Sequence, residues 1–277
     1  LPLLMDNHMV FSSRNRRLHG RIYYRMLRTL SPRLLGSCAY RFLGVAEECC
    51  EFLAQEQGID PGVIECLPLA VDTDLFGPKP DARGARRRRL DIPEDALIIL
   101  QTGKLAASKG AHILAEAAAP LMKKDQRVHL VFVGGGDADY LARVEAPIRA
   151  CGVASQMRFS PLVPVTELAD VYSMADIAVY PAGTSLSCLE AAACGLPVIM
   201  TDLPASRWRA DHGVGVCYET GDVVDLRRQI ARLTGDEQLR PNVARQARVA
   251  VQQYFSYDAV ARRSEELMYA ATRSNGG

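Results

Sequence analysis

The sequence predicts an α/β fold in which a doubly wound parallel sheet carries helices on both faces. From residue 97 onward, short apolar strands alternate with helical segments, and glycines, lysines and small polar residues follow the strand ends. Such alternation is typical of parallel sheets, because each strand needs a crossover to reach its neighbour. With right-handed crossovers the sheet is doubly wound, and ligands bind outside the carboxyl ends of its strands.

The composition is that of a globular protein with room for about two domains. Its 277 residues are 48% hydrophobic and 23% charged, and 33 basic residues nearly balance 32 acidic ones. These values exclude disorder, and a net charge of +1 speaks against a nucleic-acid partner. No apolar run reaches the ~18 residues of a membrane-spanning helix. The chain opens with Leu, so we expect it to start inside a larger protein.

The cysteines indicate neither a metal site nor a disulfide framework. Eight are present, and none forms a Cys-x-x-Cys pair. We therefore expect no metal site, and scattered thiols favour a reducing cytoplasm. Cys188 and Cys194 stand in apolar helical sequence and are predicted to be small core residues.

Residues 1–67 form the first predicted region. A short apolar run precedes His8, and a strand or turn followed by a helix fills 39–57, with Gly58 as the helix C-cap. Arginines alternate with aliphatic and aromatic residues from 14 to 33. This basic segment is either a solvated helix face or an amphipathic helix that meets anionic lipid.

Residues 68–253 are predicted to carry the sheet. After a turn-rich connection, the stretch from Pro78 to Arg89 is predicted to be a loop that leads into a helix, with its arginine run in solvent. Apolar runs of strand length predict strands over Leu97–Gln101, Val128–Val133, Met157–Phe159, Ile177–Tyr180, Pro197–Met200 and Val214–Tyr218. A helix rich in Ala and Leu is predicted over Ala111–Lys124, and further helices between the strands over Tyr140–Ala150, Thr166–Met174, Ser187–Cys194 and Val223–Leu233.

The loop after the first of these strands suits an anionic ligand. Gly103 and Lys104 open the loop, and Lys109 closes it just before a helix. Two lysines and a helix N-terminus favour negative charge, although lysines before helices are often only solvated. A Walker loop is absent, because its Gly-x4-Gly-Lys spacing is not there.

The loop after the second strand holds Gly134, Gly135 and Gly136. Glycines after a strand let the backbone approach a ligand, and a plain tight turn is the alternative. Asp139 stands where a dinucleotide fingerprint needs its third glycine, so no NAD site is expected.

A third loop holds Thr184, Ser185 and Leu186 and leads into the helix that contains Glu190. Small residues here leave the first-turn amides open to a phosphate. Glu190 is either a partner of the helix dipole or an acceptor for two sugar hydroxyls.

Taken in order, these motifs resemble the donor-binding half of retaining glycosyltransferases of the GT-B fold, in the large family 4. The resemblance covers about three quarters of the chain. Its most specific part is Leu189-Glu190-Ala191-Ala192-Ala193-Cys194-Gly195-Leu196-Pro197-Val198-Ile199. The lysine loop resembles the family's diphosphate loop, Val133 to Gly136 its glycine turn, Phe159 to Val163 its base-binding loop, and Phe255 to Asp258 its C-terminal pattern.

The resemblance implies a GT-B type, Rossmann-like doubly wound sheet with a partial N-terminal domain. Residues 1–67 would be a remnant of the acceptor domain, 68–253 the nucleotide-sugar domain, and 254–277 a helix packing back toward the N-terminal part. The implied reaction transfers sugar with retention from a nucleotide-diphosphate sugar to a saccharide or lipid-linked acceptor of the cell envelope. No cofactor and no metal are expected. The implied location is cytoplasmic, with peripheral contact at the inner membrane face.

The resemblance also implies roles for single residues. Lys104 and Lys109 would stabilise the leaving diphosphate, Glu190 would hold the ribose, and His8 would stand near the acceptor. The implied donor contacts are Gly103, Gly134, Gly135, Leu162, Val163, Thr184, Ser185, Leu186 and Glu190.

This sequence departs from the family pattern at two positions. The family has two glutamates separated by seven residues, and Ala182 takes the place of the first, which usually contacts the donor sugar. Lys104 replaces an arginine, which keeps the charge and loses the bidentate fork.

Two other classes of function remain open. A nucleotide-sugar epimerase of the same fold would need an acid and a base, for which Asp137, Asp139 and His112 are the candidates. A non-catalytic nucleotide-sugar-binding module is the second alternative, favoured by Ala182 and by the partial acceptor domain.

Overall fold

The computed structural model describes residues 3–9, 18–35, 39–183 and 185–274. Contacts divide the chain into two units, one of Leu1–Ala70 with Tyr257–Gly277 and one of Val71–Ser256. Each unit has a parallel sheet of its own. The predicted α/β class is confirmed.

The smaller unit holds a three-stranded sheet in the order β1-β2-β3. Its elements are β1 (Leu3–Asn7), α1 (Leu18–Leu34), β2 (Ala39–Gly44), α2 (Glu47–Gln57), β3 (Ile64–Cys66) and α11 (Tyr257–Ser274). Phe42, Leu53 and Ile59 form its core. Gly58 ends α2 in the left-handed region at φ 68°, so the predicted C-cap is confirmed.

The larger unit is built around a six-stranded parallel sheet in the order β6-β5-β4-β7-β8-β9. Its strands are β4 (Leu97–Thr102), β5 (Val128–Val133), β6 (Met157–Ser160), β7 (Ile177–Tyr180), β8 (Val198–Thr201) and β9 (Val216–Tyr218). Its helices are α3 (Pro80–Arg89), α4 (Ala111–Lys124), α5 (Ala138–Ala150), α6 (Val165–Met174), α7 (Ser187–Ala193), α8 (Pro204–Asp211), α9 (Val223–Gly235) and α10 (Leu239–Ala250). A π-helical turn, Val251–Phe255, follows α10.

Both faces of this sheet are buried. Along β4, Ile98 and Leu100 join the cluster that includes residues of α6, α7 and α10, while Ile99 joins residues of α4, α5 and α9 on the other face. A strand covered on both faces is a continuous apolar run rather than an alternating one. This is why the strands could be predicted from their composition, and the doubly wound arrangement is confirmed.

The strand order reverses between β4 and β7. Strands β5 and β6 follow β4 in the sequence and lie on one side of it. Strand β7 comes next in the sequence and pairs with β4 on its other side. The loops after β4 and β7 therefore leave the sheet in opposite directions, and in doubly wound sheets ligands bind at the carboxyl edge beside such a point.

The arginine run was predicted wrongly. The stretch Pro80–Arg89 is helix α3, and Arg87 within it is 1% exposed. Its guanidinium donates to the carbonyls of Met174 and Ala96 and forms a salt bridge with Asp176 at 2.9 Å. Because these partners satisfy the charge, the arginine can be buried.

Candidate functional site

Three loops meet at the carboxyl edge of the sheet. The first loop covers residues 103–110 after β4, the second 134–137 after β5, and the third 181–186 after β7. The Gly103 N–H donates to the Val133 carbonyl at 2.9 Å, and the Leu105 N–H donates to the Gly135 carbonyl at 2.8 Å. These bonds hold the first two loops together.

The glycines of these loops serve different purposes. A Cβ atom on Gly134 would lie 1.8 Å from the carbonyl oxygen of Gly103, so only glycine allows the two loops to approach this closely. A Cβ atom on Gly135 would meet no described atom within 4 Å. Packing among the described residues therefore does not require glycine at 135.

Lys109 brings positive charge to the third loop. It ends a short 3-10 turn, Ala107–Lys109, and its ammonium nitrogen lies 3.9 Å from the position of a Cβ atom on Gly183. A Cβ atom on Gly110 would lie 2.9 Å from Cβ of Ala182, so the first and third loops are in contact. Lys104 is exposed at the start of the first loop.

The third loop is fixed at several points. Tyr218 donates to the carbonyl of Pro181, and Arg209 donates to the carbonyl of Ser185 at 2.9 Å. The hydroxyl of Ser185 accepts from the Ser187 N–H at 3.2 Å, so this first-turn amide of α7 already has a partner. Leu186 is 38% exposed at the start of α7. Thr184 lies outside the described residues.

Glu190 belongs to a network of hydroxyl groups. Tyr172 and Glu190 Oε2 are 2.7 Å apart, and Thr102 Oγ1 lies 3.0 Å from the Tyr172 hydroxyl and 3.1 Å from that of Tyr180. The Tyr180 hydroxyl donates to the Ser187 carbonyl at 2.8 Å. Burial raises the pKa of the Glu190 carboxyl above its ordinary value of 4.5.

The two tyrosines were missed by the sequence analysis. Each stands in an apolar run, where an aromatic residue is typical of a core position. The signal that could have found them is chemical, since a buried tyrosine hydroxyl needs a partner.

A cleft of about 290 Å³ lies beside the ends of β5 and β6. Leu162 and Val163 line it, together with Val133, Phe159 and Arg89. Leu162 is 70% exposed. Apolar side chains and the charged Arg86, Arg89 and Glu167 line the cleft together, and Val133, which lines it, directly precedes the glycine loop.

The remaining candidates have local partners. The His8 ring lies 3.1 Å from a carboxylate oxygen of Asp6, and both side chains are exposed in the smaller unit. Asp137 accepts from the Tyr140 N–H at 2.8 Å as the N-cap of α5. The His112 ring lies 2.9 Å from the Tyr140 hydroxyl, and burial lowers the pKa of His112. Asp137 and His112 thus have structural roles that account for them without acid–base chemistry.

The described ranges contain neither a metal-binding cluster nor a membrane-spanning helix. No cluster of three or more His, Cys, Asp or Glu side chains there could hold a metal ion. None of the described helices is both long enough and apolar enough to cross a membrane.

A doubly wound domain with glycine- and lysine-bearing loops at its switch point is typical of α/β proteins that bind a ligand at the carboxyl ends of their strands. The family glycosyl transferases group 1 matches residues 83–250, and the chain belongs to this family. The chain is 33% identical over 229 residues to D-inositol 3-phosphate glycosyltransferase of Streptosporangium roseum, covering 79% of this chain and 52% of the relative. The same enzyme of Streptomyces bingchenggensis is 31% identical over 250 residues, covering 85% and 54%. The chain spans about half the length of these curated relatives.

Solved structures of glycosyltransferases share the fold. Anabaena Alr3699/HepE in complex with UDP superposes with a TM-score of 0.82 at 19% identity, covering 97% of this chain and 72% of that one. The C-terminal domain of LpcC from Francisella tularensis superposes with a TM-score of 0.60 at 23% identity, covering 68% and 99%. The predicted GT-B type fold is confirmed.

Proposed function

We propose that the larger unit binds a nucleotide-diphosphate sugar, and that the whole protein transfers this sugar with retention to a saccharide or lipid-linked acceptor. The observation that carries the proposal is the ammonium group of Lys109 beside Gly183 at the switch point of the sheet. A cation, glycine loops and a helix N-terminus in one crevice are what a diphosphate requires.

In this proposal the diphosphate lies against the first and third loops. Lys109 and Lys104 stabilise the negative charge that develops as the sugar–phosphate bond breaks. Gly103, Gly134 and Gly135 let the backbone approach the donor, and Ser185 and Leu186 contact it from the third loop. Lysines supply this charge stabilisation without a metal ion, so the proposal includes neither metal nor cofactor.

Glu190 and the cleft beside the ends of β5 and β6 hold the nucleoside. A carboxylate accepts hydrogen bonds from both hydroxyls of a ribose. Leu162 and Val163 contact the base in the cleft that they line. Anabaena Alr3699/HepE has been crystallised with UDP and with UDP-glucose, so uridine nucleotides are the first donors to test.

The proposed acceptor is supported only by membership of the family. The relatives are named D-inositol 3-phosphate glycosyltransferases, so D-inositol 3-phosphate is the first acceptor to test beside lipid-linked envelope saccharides. His8 is kept as an acceptor-side residue on the same grounds. Ala182 has no carboxylate to contact the donor sugar, so selectivity for the sugar should be poor or come from Thr184 or Ser185.

Helix α1 supports a peripheral membrane location at the cytoplasmic face. Ile22, Met26 and Leu30 form a stripe at four-residue spacing, and they are 55%, 54% and 41% exposed. Arg21 and Arg25 lie beside the stripe and are exposed. Apolar residues flanked by arginines bind the surface of anionic bilayers.

Calorimetric titration with UDP-glucose and other nucleotide-diphosphate sugars tests the binding proposal. Binding of one of them, weakened in Lys109→Ala and unchanged in Lys123→Ala, is the expected result. Lys123 is the matched control because it is exposed near the end of α4, away from the loops. Failure of every nucleotide sugar to bind would contradict the proposal.

Turnover with a bound donor and an acceptor separates an enzyme from a binding module. The anomeric configuration of the product, read by NMR, then tests retention. An inverted product would contradict that part of the proposal.

A further inference from the structure

A buried chain of hydroxyl groups links the end of β4 to the start of α7. Thr102, Tyr172 and Tyr180 are 7%, 0% and 4% exposed, so all three residues are buried. The chain runs from Glu190 Oε2 to Tyr172, then to Thr102, to Tyr180 and to the Ser187 carbonyl. It contains four oxygen–oxygen contacts of 2.7 to 3.1 Å.

This series of hydroxyl groups needs a fixed number of protons to be fully hydrogen-bonded. Each of the four contacts needs one proton to be a hydrogen bond, and the three hydroxyls supply three. The Ser187 carbonyl can only accept, and an ionised Glu190 can only accept. With Glu190 ionised, one buried contact therefore brings two oxygens together without a proton.

A protonated Glu190 supplies the fourth proton. Glu190 then donates to Tyr172, Tyr172 to Thr102, Thr102 to Tyr180, and Tyr180 to the Ser187 carbonyl. Every contact becomes a hydrogen bond with one donor and one acceptor, and all run in the same direction. Hydrogen bonds in such a chain strengthen one another.

No cation among the described residues favours the ionised form of Glu190, although two hydroxyl groups do. Within the described residues Glu190 forms no salt bridge, and the cations near α7 bind other groups. Arg209 is bonded to Ser185 and Cys188, Arg248 to the Ala193 carbonyl, and Lys79 to Asp170. Burial favours the neutral carboxyl and raises the pKa of Glu190, while hydrogen bonds from the Tyr172 and Ser187 hydroxyls act in the opposite direction. The titratable or charged groups on α7, at its C-cap and on the neighbouring elements α6, β7, α8, α10 and the π-helical turn are Glu167, Asp170, Tyr172, Tyr180, Cys188, Cys194, Arg207, Arg209, Asp211, Arg240, Arg245, Arg248 and Tyr254.

We propose that Glu190 carries a proton in the ligand-free protein, that Thr102 and Tyr172 are positioning residues for it, and that a ribose diol displaces the proton. The displacement of the proton by a ribose rests on the proposed function. As the ribose hydroxyls donate to the carboxylate, the O–H bond of Glu190 breaks and its proton passes to solvent. Tyr172 then reverses and donates to Glu190, Thr102 donates to Tyr172, and the contact between Thr102 and Tyr180 is left without a proton.

Infrared difference spectroscopy tests the protonation of Glu190 without any ligand. The spectrum of the wild type minus that of Glu190→Gln, recorded over a pH series, is expected to show the carbonyl stretch of a protonated carboxylic acid. Its midpoint should lie above 4.5, the ordinary pKa of the group. Gln is the matched replacement because its amide can donate to Tyr172 and preserve the chain. A band that titrates at or below the ordinary value would overturn the proposal.

Thr102 provides the sharper variant. In Thr102→Val, Tyr172 can donate to an ionised Glu190 and Tyr180 to the Ser187 carbonyl, so no contact lacks a proton. The carboxylic acid band should then disappear at a pH lower than in the wild type, by about one pH unit. Thr102→Ser retains the hydroxyl and should titrate like the wild type. Equal midpoints for the Val and Ser variants would overturn the role of Thr102.

Calorimetry tests the displacement. Below the infrared midpoint, a nucleotide sugar that binds is titrated in two buffers of different ionisation enthalpy, and the difference gives the protons released. A nucleotide sugar serves better than the free diphosphate, whose terminal phosphate itself titrates near neutrality. We expect release of about one proton per donor in the wild type and none in Glu190→Gln. Donor binding without proton release would overturn the claim that the ribose displaces the proton of Glu190. If no donor binds, the proposed function is contradicted, and the infrared spectra alone test whether Glu190 is protonated.

Discussion

The ammonium nitrogen of Lys109 lies 3.9 Å from the point where a side chain on Gly183 would begin. This proximity joins the loops that leave β4 and β7 in opposite directions. It places a positive charge where a doubly wound sheet binds its ligand. The conformation of Gly183 and the charge of Lys109 are therefore parts of one site.

Gly183→Ala should weaken donor binding. Gly183 has φ 66°, and a Cβ atom would lie 3.5 Å from the Ser108 carbonyl oxygen as well as close to Lys109. We expect a loss of ~1–2 kcal/mol in the free energy of unfolding, because an L-residue is strained at this φ. The affinity for the nucleotide sugar should also fall several-fold.

Gly152→Ala is the control for strain alone. Gly152 has φ 74°, and its Cβ atom would meet no described atom within 4 Å. Denaturant unfolding should show a similar loss of stability, and calorimetry should show unchanged affinity. Equal weakening of binding in both variants would mean that the effect of Gly183 comes from general destabilisation.

The glycine turn offers a second contrast. Gly134→Ala places a methyl group against the Gly103 carbonyl, so we expect a loss of ~1–3 kcal/mol in unfolding free energy. Gly135→Ala has room for its methyl group among the described residues and should keep its stability. If the backbone of Gly135 approaches the donor, only the affinity should fall in this variant. Unchanged affinity in Gly135→Ala would remove Gly135 from the donor site.

The pH dependence of stability reports on Glu190. Burial raises its pKa in the folded state, so the neutral carboxyl stabilises the fold fully below the unfolded value of 4.5. This contribution is lost as pH rises through the higher, folded value. Glu190→Gln has no such group to ionise, so its melting temperature relative to the wild type should increase as pH rises above 4.5. A difference in melting temperature that stays constant with pH would contradict the raised pKa.

Helix α1 should bind anionic vesicles through its apolar stripe. Sedimentation with vesicles of an anionic phospholipid should show binding that decreases with added salt. The double variant Ile22→Ser with Met26→Ser should lose most of this binding. Met268→Ser is the control, because Met268 is 55% exposed on α11 and lies outside the stripe. Absence of binding at low salt would favour the solvated helix face.

Much of the larger unit could be predicted because its strands are buried on both faces. Helix Ala111–Lys124 and strands Val128–Val133 and Ile177–Tyr180 have the predicted bounds. Helices α8 and α10 were not predicted. Their mean hydropathy is lower than that of the predicted helices α4, α5, α6 and α9, so no apolar pattern marks them in the sequence.

The burial of Arg87 and the role of Tyr172 were not predicted for the same physical reason. Arg87 is buried because its partners are the carbonyls of Met174 and Ala96 and the carboxylate of Asp176. Tyr172 matters because it contacts Glu190, 18 positions further along the chain. Residue type and local spacing do not reveal partners that only the fold brings together.

The most direct test of the donor site is the affinity of Lys109→Ala for a nucleoside diphosphate and for the corresponding nucleoside. A charge-assisted hydrogen bond contributes ~1.5–3 kcal/mol, so we expect affinity for the diphosphate to fall at least about tenfold. The affinity for the nucleoside, which has no phosphate, should barely change, and Lys123→Ala should bind both like the wild type. Diphosphate affinity in Lys109→Ala equal to that of the wild type would contradict the placement of the diphosphate beside Lys109 and Gly183.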